Sequence, residues 1–439
     1  MKIQRRISTG ITNSRARRVA MAAAATLLAA GTLAACSGGS GSTTSGSKTL
    51  RVLIAAPQEG AGKALQADYE KSTGTKVKIT VVPYDQIQTK AILDAQSGAN
   101  QYDVIQYWYT SVGALAQADA LDDLTGWVDK DKDIDKSDFI APIYNAYTQY
   151  KGKTYGLPFD GDTHLLYYNK KILADNGVKP PTTWDEYLAD VKKITDANKS
   201  KGIYGAVMMG DKSAFNIGST FFNRLATFSS SPIDSQKPDL TSPAALAAAK
   251  SMVDAAPYTA PSPSQIGFDQ ALALFLSGKI GMMEAWTDLG TFAQDPSQSK
   301  IADNWGAVPL PAGAGGKTAA PLDAGWALGV SPSAPDQDAA KDFVKFATSK
   351  AENLKLVTTT GSGVDPTRTS TLESDKYKSF TPVVAAALTQ ILGNAQSWPT
   401  SPNAPKMIQS LNDNLAQMLQ GSLTPQQALD ATEKAWDAL

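Results

Sequence analysis

The single histidine of the chain, His164, follows Asp160 and Asp162 in the segment YGLPFDGDTHLLYYNK. A histidine beside carboxylates could act as acid and base, and two acids could form a glycosidase pair. However, both acids lie in one short stretch, and one histidine cannot build a multi-histidine metal site. The chain also lacks the motifs GxSxG, GxxxxGK[ST] and HExxH. The sequence therefore predicts no enzyme, with a glycoside hydrolase acting through Asp160 or Asp162 as the alternative.

Aromatic residues at predicted strand ends and in loops form a second candidate site. They are Trp108 at the end of DVIQYW, Trp286 at the end of IGMMEAW, Trp326 at the start of GWALGV, and Trp398 in NAQSWPTSPNAP. An indole ring stacks on the apolar face of a sugar, while carboxylates and amides bind its hydroxyls. Ligands of open α/β sheets bind beyond the carboxyl ends of the strands. The pattern favours a carbohydrate site over core packing.

Strands and helices are predicted to alternate, as in α/β folds with parallel strands. TLRVLIAAPQEG, TKVKITVVPY and QYDVIQYW are predicted strands, separated by helical stretches of which the first ends at Gly74. A capping box at Thr183 and Glu186 and a proline after Ser242 indicate later helix starts. A length of 439 residues suits two α/β lobes better than one small core.

The first 35 residues are predicted to be a signal peptide, because a basic stretch precedes a short apolar segment. That segment ends in LAAC, which resembles a bacterial lipobox and implies lipidation of Cys36. Residues 36–48 then form a Gly/Ser/Thr-rich flexible linker. Export by the general or the twin-arginine route stays open. We expect a protein anchored by lipid to the outer face of a bacterial cell membrane.

Charge excludes other classes of partner. Beyond the leader, Arg51, Arg224 and Arg368 are the only arginines, and acidic residues outnumber basic ones. A basic surface for nucleic acid is therefore not expected, and an anionic ligand is disfavoured. Since Cys36 is the only cysteine, disulfides and cysteine-based metal clusters are excluded. The sequence predicts no cofactor and no metal.

Several segments together resemble extracellular solute-binding proteins, family 1, of ABC importers. The most specific is YGLPFDGDTHLLYYNKKILADNGVKPPTTWDEYLADVKKI, with its Tyr-Asn-Lys and Thr-Trp-Asp-Glu elements. FLSGKIGMMEAW, NWGAVPLPAG, GWALGVSPSAPDQDAAKDFVKFATS and TGSGVDPTRTSTL resemble further parts of the family pattern. The resemblance extends from about Leu50 to the C-terminus.

The resemblance implies an α/β, two-lobed periplasmic-binding-protein fold of type II, whose lobes close on the ligand about a multi-segment hinge. On this chain it implies one lobe from residues 49–158 and 327–368, and a second from 159–326 and 369–439. Hinge crossings are expected near Leu157–Gly161, Trp326–Val330 and Thr367–Leu372. His164 is expected to be buried near the hinge rather than to transfer protons.

The implied function is capture of a carbohydrate or polyol and its delivery to the transmembrane subunits of an ABC permease, by a monomer. Asp162 corresponds to the family's acid that accepts hydrogen bonds from sugar hydroxyls. Trp108 and Trp286 correspond to the aromatic residues that stack on the sugar. Arg368 could bond the ligand or bridge carboxylates across the hinge. The predicted ligand-binding residues are Glu59, Tyr107, Trp108, Asp160, Asp162, Glu284, Trp286, Asp288, Trp326, Arg368 and Trp398.

A polyamine ligand stays open, since several acids could line the cleft: Glu59, Asp162, Glu284, Asp288 and Asp323.

Overall fold

A computed structural model describes most of the chain after the predicted leader and linker. The described residues are 49–213, 215–229, 233–234, 236–313 and 318–439. The predictions for the signal peptide, Cys36 and the linker therefore lie outside the described residues.

The described strands are β1 (Leu50–Ala55), β2 (Val77–Val82), β3 (Val104–Trp108), β4 (Gln149–Tyr150), β5 (Lys153–Thr154), β6 (Leu157–Asp160), β7 (His164–Asn169), β8 (Tyr204–Val207), β9 (Ile280–Trp286), β10 (Trp305–Val308), β11 (Ala320–Leu322), β12 (Trp326–Val330) and β13 (Ala395–Ser397).

The described α-helices are α1 (Glu59–Thr73), α2 (Ile87–Ser97), α3 (Val112–Gln117), α4 (Thr125–Lys130), α5 (Ala141–Thr148), α6 (Lys170–Asp175), α7 (Trp184–Asn198), α8 (Ile217–Phe228), α9 (Pro243–Ala255), α10 (Phe268–Leu276), α11 (Leu289–Ala293), α12 (Gln337–Ala347), α13 (Lys350–Val357), α14 (Thr369–Glu373), α15 (Asp375–Phe380), α16 (Pro382–Ile391), α17 (Ala404–Leu419) and α18 (Pro425–Asp437).

The strands form two main sheets. Sheet 1 has the order β2-β1-β3-β12-β6, in which β1 pairs parallel with β2 and β3, while β12 runs antiparallel to β3 and β6. Sheet 2 has the order β10-β7-β9-β8, with β9 antiparallel to β7 and parallel to β8. Short pairs β11-β13 and β4-β5 complete the sheets. Two separate sheets confirm the two-lobed α/β architecture.

Local sequence signals explain the element ends. Gly74 ends α1 in the left-handed conformation with φ 76°, which glycine adopts without steric cost. The Thr183 side chain accepts a hydrogen bond from the Glu186 backbone at the start of α7. The Glu186 carboxylate bonds Thr182 instead of Thr183, so only half of the predicted capping box forms. Ser242 caps α9 as predicted.

Helices cover each sheet and bury its apolar side chains. The helix α12 packs on β12 of sheet 1, and α16 packs on β10 of sheet 2. At the C-terminal end, α17 and α18 pack on each other and on α8 and α9. Every residue of β9 is buried, as expected for a central strand covered on both faces.

The chain crosses between the sheets near the predicted boundaries. It leaves sheet 1 after Asp160, enters sheet 2 at His164, and is back in sheet 1 at Trp326. A later segment leads from α13 through Asp365 to α14. The lobe boundaries and the hinge motion remain predictions. Among the described residues, no helix combines the length and apolarity needed to cross a bilayer.

Candidate functional site

The candidate site lies where strand ends of the two sheets bring together predicted residues. In sheet 2, His164 at the start of β7 is the register partner of Trp286 at the end of β9. In sheet 1, Trp326 at the start of β12 is the partner of Trp108 at the end of β3. The link between the sheets, after Asp160, is only three residues long. The strand ends therefore determine the positions of three of the four predicted tryptophans.

Aromatic rings surround these strand ends. Phe215, two residues before α8, lies 4.3 Å from Trp108 in an edge-to-face arrangement and 6.2 Å from Trp326, measured between ring centroids. In sheet 2, the Trp286 ring lies 4.7 Å from His164 and 5.1 Å from Phe268. Such geometries are the preferred ones for aromatic pairs. Phe215 is a site residue that the sequence analysis missed.

Four polar groups on the sheet 2 side are buried without hydrogen-bond partners. They are both carboxylate oxygens of Asp323, the indole Nε1 of Trp286, the Nε2 of His164 and the hydroxyl of Ser219. Ser219 and Trp286 lie close enough to Asp323 to influence its pKa, and His164 Nδ1 is 3.0 Å from Asp323 Oδ2. Buried polar groups normally have partners, so a cluster of partnerless ones indicates a place for a ligand or water. We call these four residues the open polar cluster.

Burial keeps the open polar cluster uncharged. It raises the pKa of Asp323 to about 8 and lowers the pKa of His164 to about 3, because both side chains are fully buried. The Nδ2 of Asn223 lies 2.6 Å from His164 Nδ1 and also donates to Glu284. Asn223 Oδ1 and Asp323 Oδ2 lie 2.9 and 3.0 Å from the same nitrogen, so Nε2 donates where Nδ1 accepts from Asn223, and accepts where Nδ1 carries the proton. Its low pKa leaves His164 neutral, and so not a general acid or base, at neutral pH.

A fully paired ion cluster lies beside the open one. Arg224 donates two hydrogen bonds of 2.8 Å to the carboxylate of Glu284, and Asn223 donates a third of 3.0 Å. Both charged side chains are buried, and the Arg224 guanidinium lies 4.3 Å from the Trp184 ring. Glu284, a predicted ligand-binding residue, therefore has its carboxylate engaged within the protein. We call these residues the paired cluster.

The predicted acids Asp160, Asp162 and Asp288 lie with Asp365 at the crossings between the sheets. Oxygens of Asp160, Asp162 and Asp365 lie within 4.8 Å of one another. Asp160 accepts hydrogen bonds from the Asp365 backbone (2.7 Å) and from Gln58 Nε2 (3.1 Å). Burial, and then neighbouring carboxylates, raise the pKa values of Asp160 and Asp162. Burial raises the pKa of Asp288 to about 7. We call these four residues the acid cluster.

The other predicted residues make contacts away from these clusters. Tyr107 is buried and donates to the Tyr147 carbonyl. Trp398 is buried and stacks on Phe222 at 4.1 Å. Glu59 begins α1 and pairs with Lys63.

Arg368 is buried and uses its donors inside the protein. They reach the carbonyls of Thr348 at 2.7 Å and Ile134 at 2.9 Å, and the carboxylate of Asp138 at 3.2 Å. These contacts favour a role in holding segments together over a bond to ligand.

Three contributors were not predicted as site residues, Phe215, Ser219 and Asp365, and Asp323 was considered only as a cleft acid for the polyamine alternative. Ser219 lies four residues before Asn223 on α8, and so on the same helix face, but no sequence motif points to it. Asp323 stands three residues before Trp326, and Asp365 precedes Pro366 in the segment TGSGVDPTR. An acid close to a strand-end tryptophan was the available signal for Asp323.

Comparison with known proteins identifies the family. The model of the bacterial extracellular solute-binding protein family matches residues 42–354. The chain belongs to this family. This confirms the family predicted from the sequence motifs, whose members are binding proteins that serve ABC transporters.

Individual relatives support the same fold. This solute-binding protein is 25% identical over 370 residues to a probable amino-acid ABC transporter periplasmic-binding protein of Sinorhizobium fredii, covering 82% of each chain. It is 26% identical to the mannitol-binding protein of Pseudomonas aeruginosa, covering 67% of this chain and 70% of that one. An ABC transporter solute-binding protein of Agrobacterium radiobacter, solved with ribitol, superposes with a TM-score of 0.79 at 26% identity, covering 89% and 98%. The predicted type II fold is confirmed.

Proposed function

We propose that this solute-binding protein captures a polyol or small sugar between its two lobes and delivers it to an ABC permease. The observation that carries the proposal is the open polar cluster, in which Asp323, His164, Trp286 and Ser219 present buried polar atoms without partners. His164 and Trp286 belong to strand ends of sheet 2, and Asp323 stands three residues before Trp326, which begins β12 of sheet 1. Such an arrangement suits a ligand with apolar C–H faces and hydroxyls on its edges.

The chemistry of the cluster suits hydroxyls in particular. A hydroxyl donates one hydrogen bond and accepts others, and the cluster offers both kinds of partner. The Asp323 carboxyl accepts and, when protonated, also donates, Trp286 Nε1 donates, and His164 Nε2 donates or accepts according to its tautomer. A bound anion would require a cation, and the buried arginines Arg224 and Arg368 are already paired. The ribitol and mannitol named for two relatives support a neutral polyhydroxy ligand.

We assign the hydroxyl-accepting role to Asp323 and the stacking roles to Trp286 and Trp108, with Trp326 completing the aromatic frame. Asp162 was expected to accept the hydroxyl, but its carboxylate lies in the acid cluster. Trp108 Nε1 is also buried without a partner and provides a donor on the sheet 1 side. Contacts to both lobes would let the ligand select the closed arrangement that the permease reads.

A ligand panel tests the proposal. Thermal unfolding of the purified protein is measured with ribitol, mannitol, sorbitol, glucose and maltose, and with spermidine and glutamine as non-sugar ligands. A ligand at 100 times its Kd should stabilise the protein by about 2.7 kcal/mol. The proposal expects stabilisation by a polyol or sugar. Stabilisation by spermidine or glutamine alone would overturn it.

We further propose that the protein binds without catalysis. Labelled oligosaccharides incubated with the protein should be recovered unchanged. Hydrolysis that disappears in Asp160→Asn or Asp162→Asn would instead support the glycosidase alternative.

We also propose that lipidation of Cys36 holds the protein at the outer membrane face. The test is incorporation of radiolabelled palmitate together with fractionation of cells. Cys36→Ala should abolish labelling and release the protein from the membrane fraction. Labelling that persists in the variant would contradict the assignment of Cys36.

A further inference from the structure

We propose that the acid cluster binds one hard divalent cation, of which Ca²⁺ is the type, at the crossings between the two sheets. The site differs from the open polar cluster in residues and in ligand class. Its ligands would come from Asp160, Asp162, Asp365 and Asp288, assisted by the Thr287 hydroxyl. The inference does not depend on a polyol being the transported ligand.

The spacing of the carboxylates fits a single ion. One oxygen each from Asp160, Asp162 and Asp365 lies within 4.8 Å of the others. Calcium binds oxygens at 2.3–2.6 Å, so ligands on opposite sides of the ion lie up to about 5 Å apart. The two hydrogen bonds that Asp160 accepts leave each of its oxygens a lone pair for a metal. Three carboxylates can therefore contact one ion without a large rearrangement.

A second observation is a small cavity that shares Asp365 with the cluster. Its accessible space is about 10 Å³, roughly that of one water molecule or ion. Five polar oxygens of its lining residues are buried without partners: Thr287 Oγ1, Asp288 Oδ1, Asp365 Oδ2, Tyr377 OH and Thr381 Oγ1. Thr287 and Tyr377 are each only 2% exposed. Hydroxyl and carboxylate oxygens that line one buried cavity without hydrogen-bond partners could all act as ligands of a cation.

Charge balance points the same way. Among the described residues, no lysine or arginine forms an ion pair with any member of the acid cluster. The buried cations Arg224 and Arg368 pair with Glu284 and Asp138. Carboxylates buried together are costly unless a bound cation or protons compensate their charge, and a calcium ion would displace such protons. The donors named for the site are all oxygen atoms, which favours hard cations such as Ca²⁺ over zinc or copper.

An ion at this position would affect stability, because its ligands come from separate segments of the chain. Asp160 and Asp162 belong to the link between β6 and β7, Asp365 to the segment between α13 and α14, and Asp288 follows β9. One ion would tie together three segments that are distant in sequence. Its loss should therefore lower stability and loosen the crossings together.

Calcium binding is tested directly on the purified protein. After chelator treatment and dialysis, calcium is added back at fixed pH in saturating excess over any chelator. The expected results are about one bound calcium per chain by mass spectrometry, and a rise in melting temperature that excess chelator reverses. The same measurement with magnesium should give a smaller rise, because magnesium dehydrates reluctantly and needs near-octahedral geometry.

Matched variants assign the effect to the cluster. Asp365→Asn and Asp288→Asn should remove most of the calcium-dependent rise and reduce bound calcium well below one per chain. Asp303→Asn changes an exposed aspartate before β10 and should behave as the wild type. Circular dichroism checks that each variant is folded, and Thr287→Val provides a second, uncharged change. The proposal is overturned if the wild type binds no calcium, or if folded cluster variants keep the full effect.

Polyol binding, measured by calorimetry with and without calcium, separates this inference from the proposed function. If calcium binds and raises the melting temperature but no polyol binds, the cation site is supported and the proposed polyol ligand is not. Polyol binding by a protein that takes up no calcium when calcium is added back would refute the cation site and leave the transport proposal intact.

Discussion

Two polar clusters on the same strand and helix differ in how completely their hydrogen bonds are satisfied. In the paired cluster, Glu284 of β9 and Arg224 of α8 satisfy each other through two hydrogen bonds. Trp286, two residues after Glu284 on β9, and Ser219, five residues before Arg224 on α8, belong to the open polar cluster. Asn223 contacts both clusters. Buried polar groups therefore occur here in two arrangements, one with its charges paired inside the protein and one that we propose serves a ligand.

The difference shows why residue type alone does not identify a binding residue. Glu284 and Asp323 are both buried acids close to tryptophans. Glu284 has a fixed charge partner, whereas Asp323 faces a neutral imidazole, with His164 Nδ1 3.0 Å from its Oδ2. The number of satisfied partners, which only the fold reveals, separates a structural acid from a candidate ligand-binding one.

The largest effect is expected when the paired cluster is broken. Arg224→Leu would leave the Glu284 carboxylate buried without its charge partner, so the free energy of unfolding should fall by about 3–5 kcal/mol. Urea unfolding measures the change. The double variant Arg224→Leu with Glu284→Leu should recover much of it, because neither charge remains.

Lys212→Leu serves as the control for that comparison. Lys212 forms an exposed ion pair with Asp413, so its loss should leave stability nearly unchanged. If Lys212→Leu and Arg224→Leu lowered the free energy of unfolding equally, the buried ion pair would contribute no more to stability than the exposed one.

The open polar cluster should respond in affinity rather than stability. Asp323→Asn keeps the shape but replaces the protonated carboxyl by an amide, which leaves a buried ligand hydroxyl without its partner, so polyol binding should weaken about 5- to 150-fold. Stability should change by less than about 1 kcal/mol when it is measured at about pH 4, where the carboxyl is substantially protonated in the unfolded chain as well. Calorimetry gives the affinity, with Asp303→Asn as control. Unchanged affinity in Asp323→Asn would remove Asp323 from the site.

The pH dependence of stability should also distinguish the clusters. Because the pKa of Asp323 is about 8, the folded protein keeps a proton that the unfolded chain has released above about pH 4. The free energy of unfolding should therefore fall as the pH rises towards 8, by up to about 1.4 kcal/mol per pH unit from this group. Urea unfolding at pH 6 and pH 7 should show a steeper fall in the wild type than in Asp323→Asn. Equal slopes would contradict a protonated Asp323.

The smallest expected effect comes from Trp286→Phe. This change keeps an aromatic ring but removes the Nε1 donor, so affinity should fall about 2- to 10-fold. Trp127→Phe, on α4, is the matched control and should bind normally. A loss as large as that of Asp323→Asn would mean that the indole contributes through stacking area as well as through its N–H.

The sequence predicted the fold well because its signals are local. Gly74 ends α1, Ser242 begins α9 and the tryptophans end or begin strands, as the hydrophobic pattern and cap residues indicated. The family motifs then supplied the two-lobed topology. These features depend on residues that are neighbours along the chain.

The site was only partly predictable because its members meet through tertiary packing. Ser219 and Phe215 reach the strand ends from α8 and the residues before it, and no short motif marks them. Asp365 meets Asp160 across 205 positions of sequence. Arg368 and Trp398 have the right residue types but pack elsewhere, which composition alone could not distinguish.

Phe215 has a consequence for the tuning of affinity. Its ring packs on Trp108, the indole proposed to stack on the ligand. If the ligand binds the part of the Trp108 ring that Phe215 contacts, it has to displace Phe215, and the affinity would then reflect the difference between the two ring interactions. Substitution at position 215 could therefore set the concentration range over which the protein responds. The choice among ligands would still be made by the hydrogen bonds of Asp323 and its neighbours.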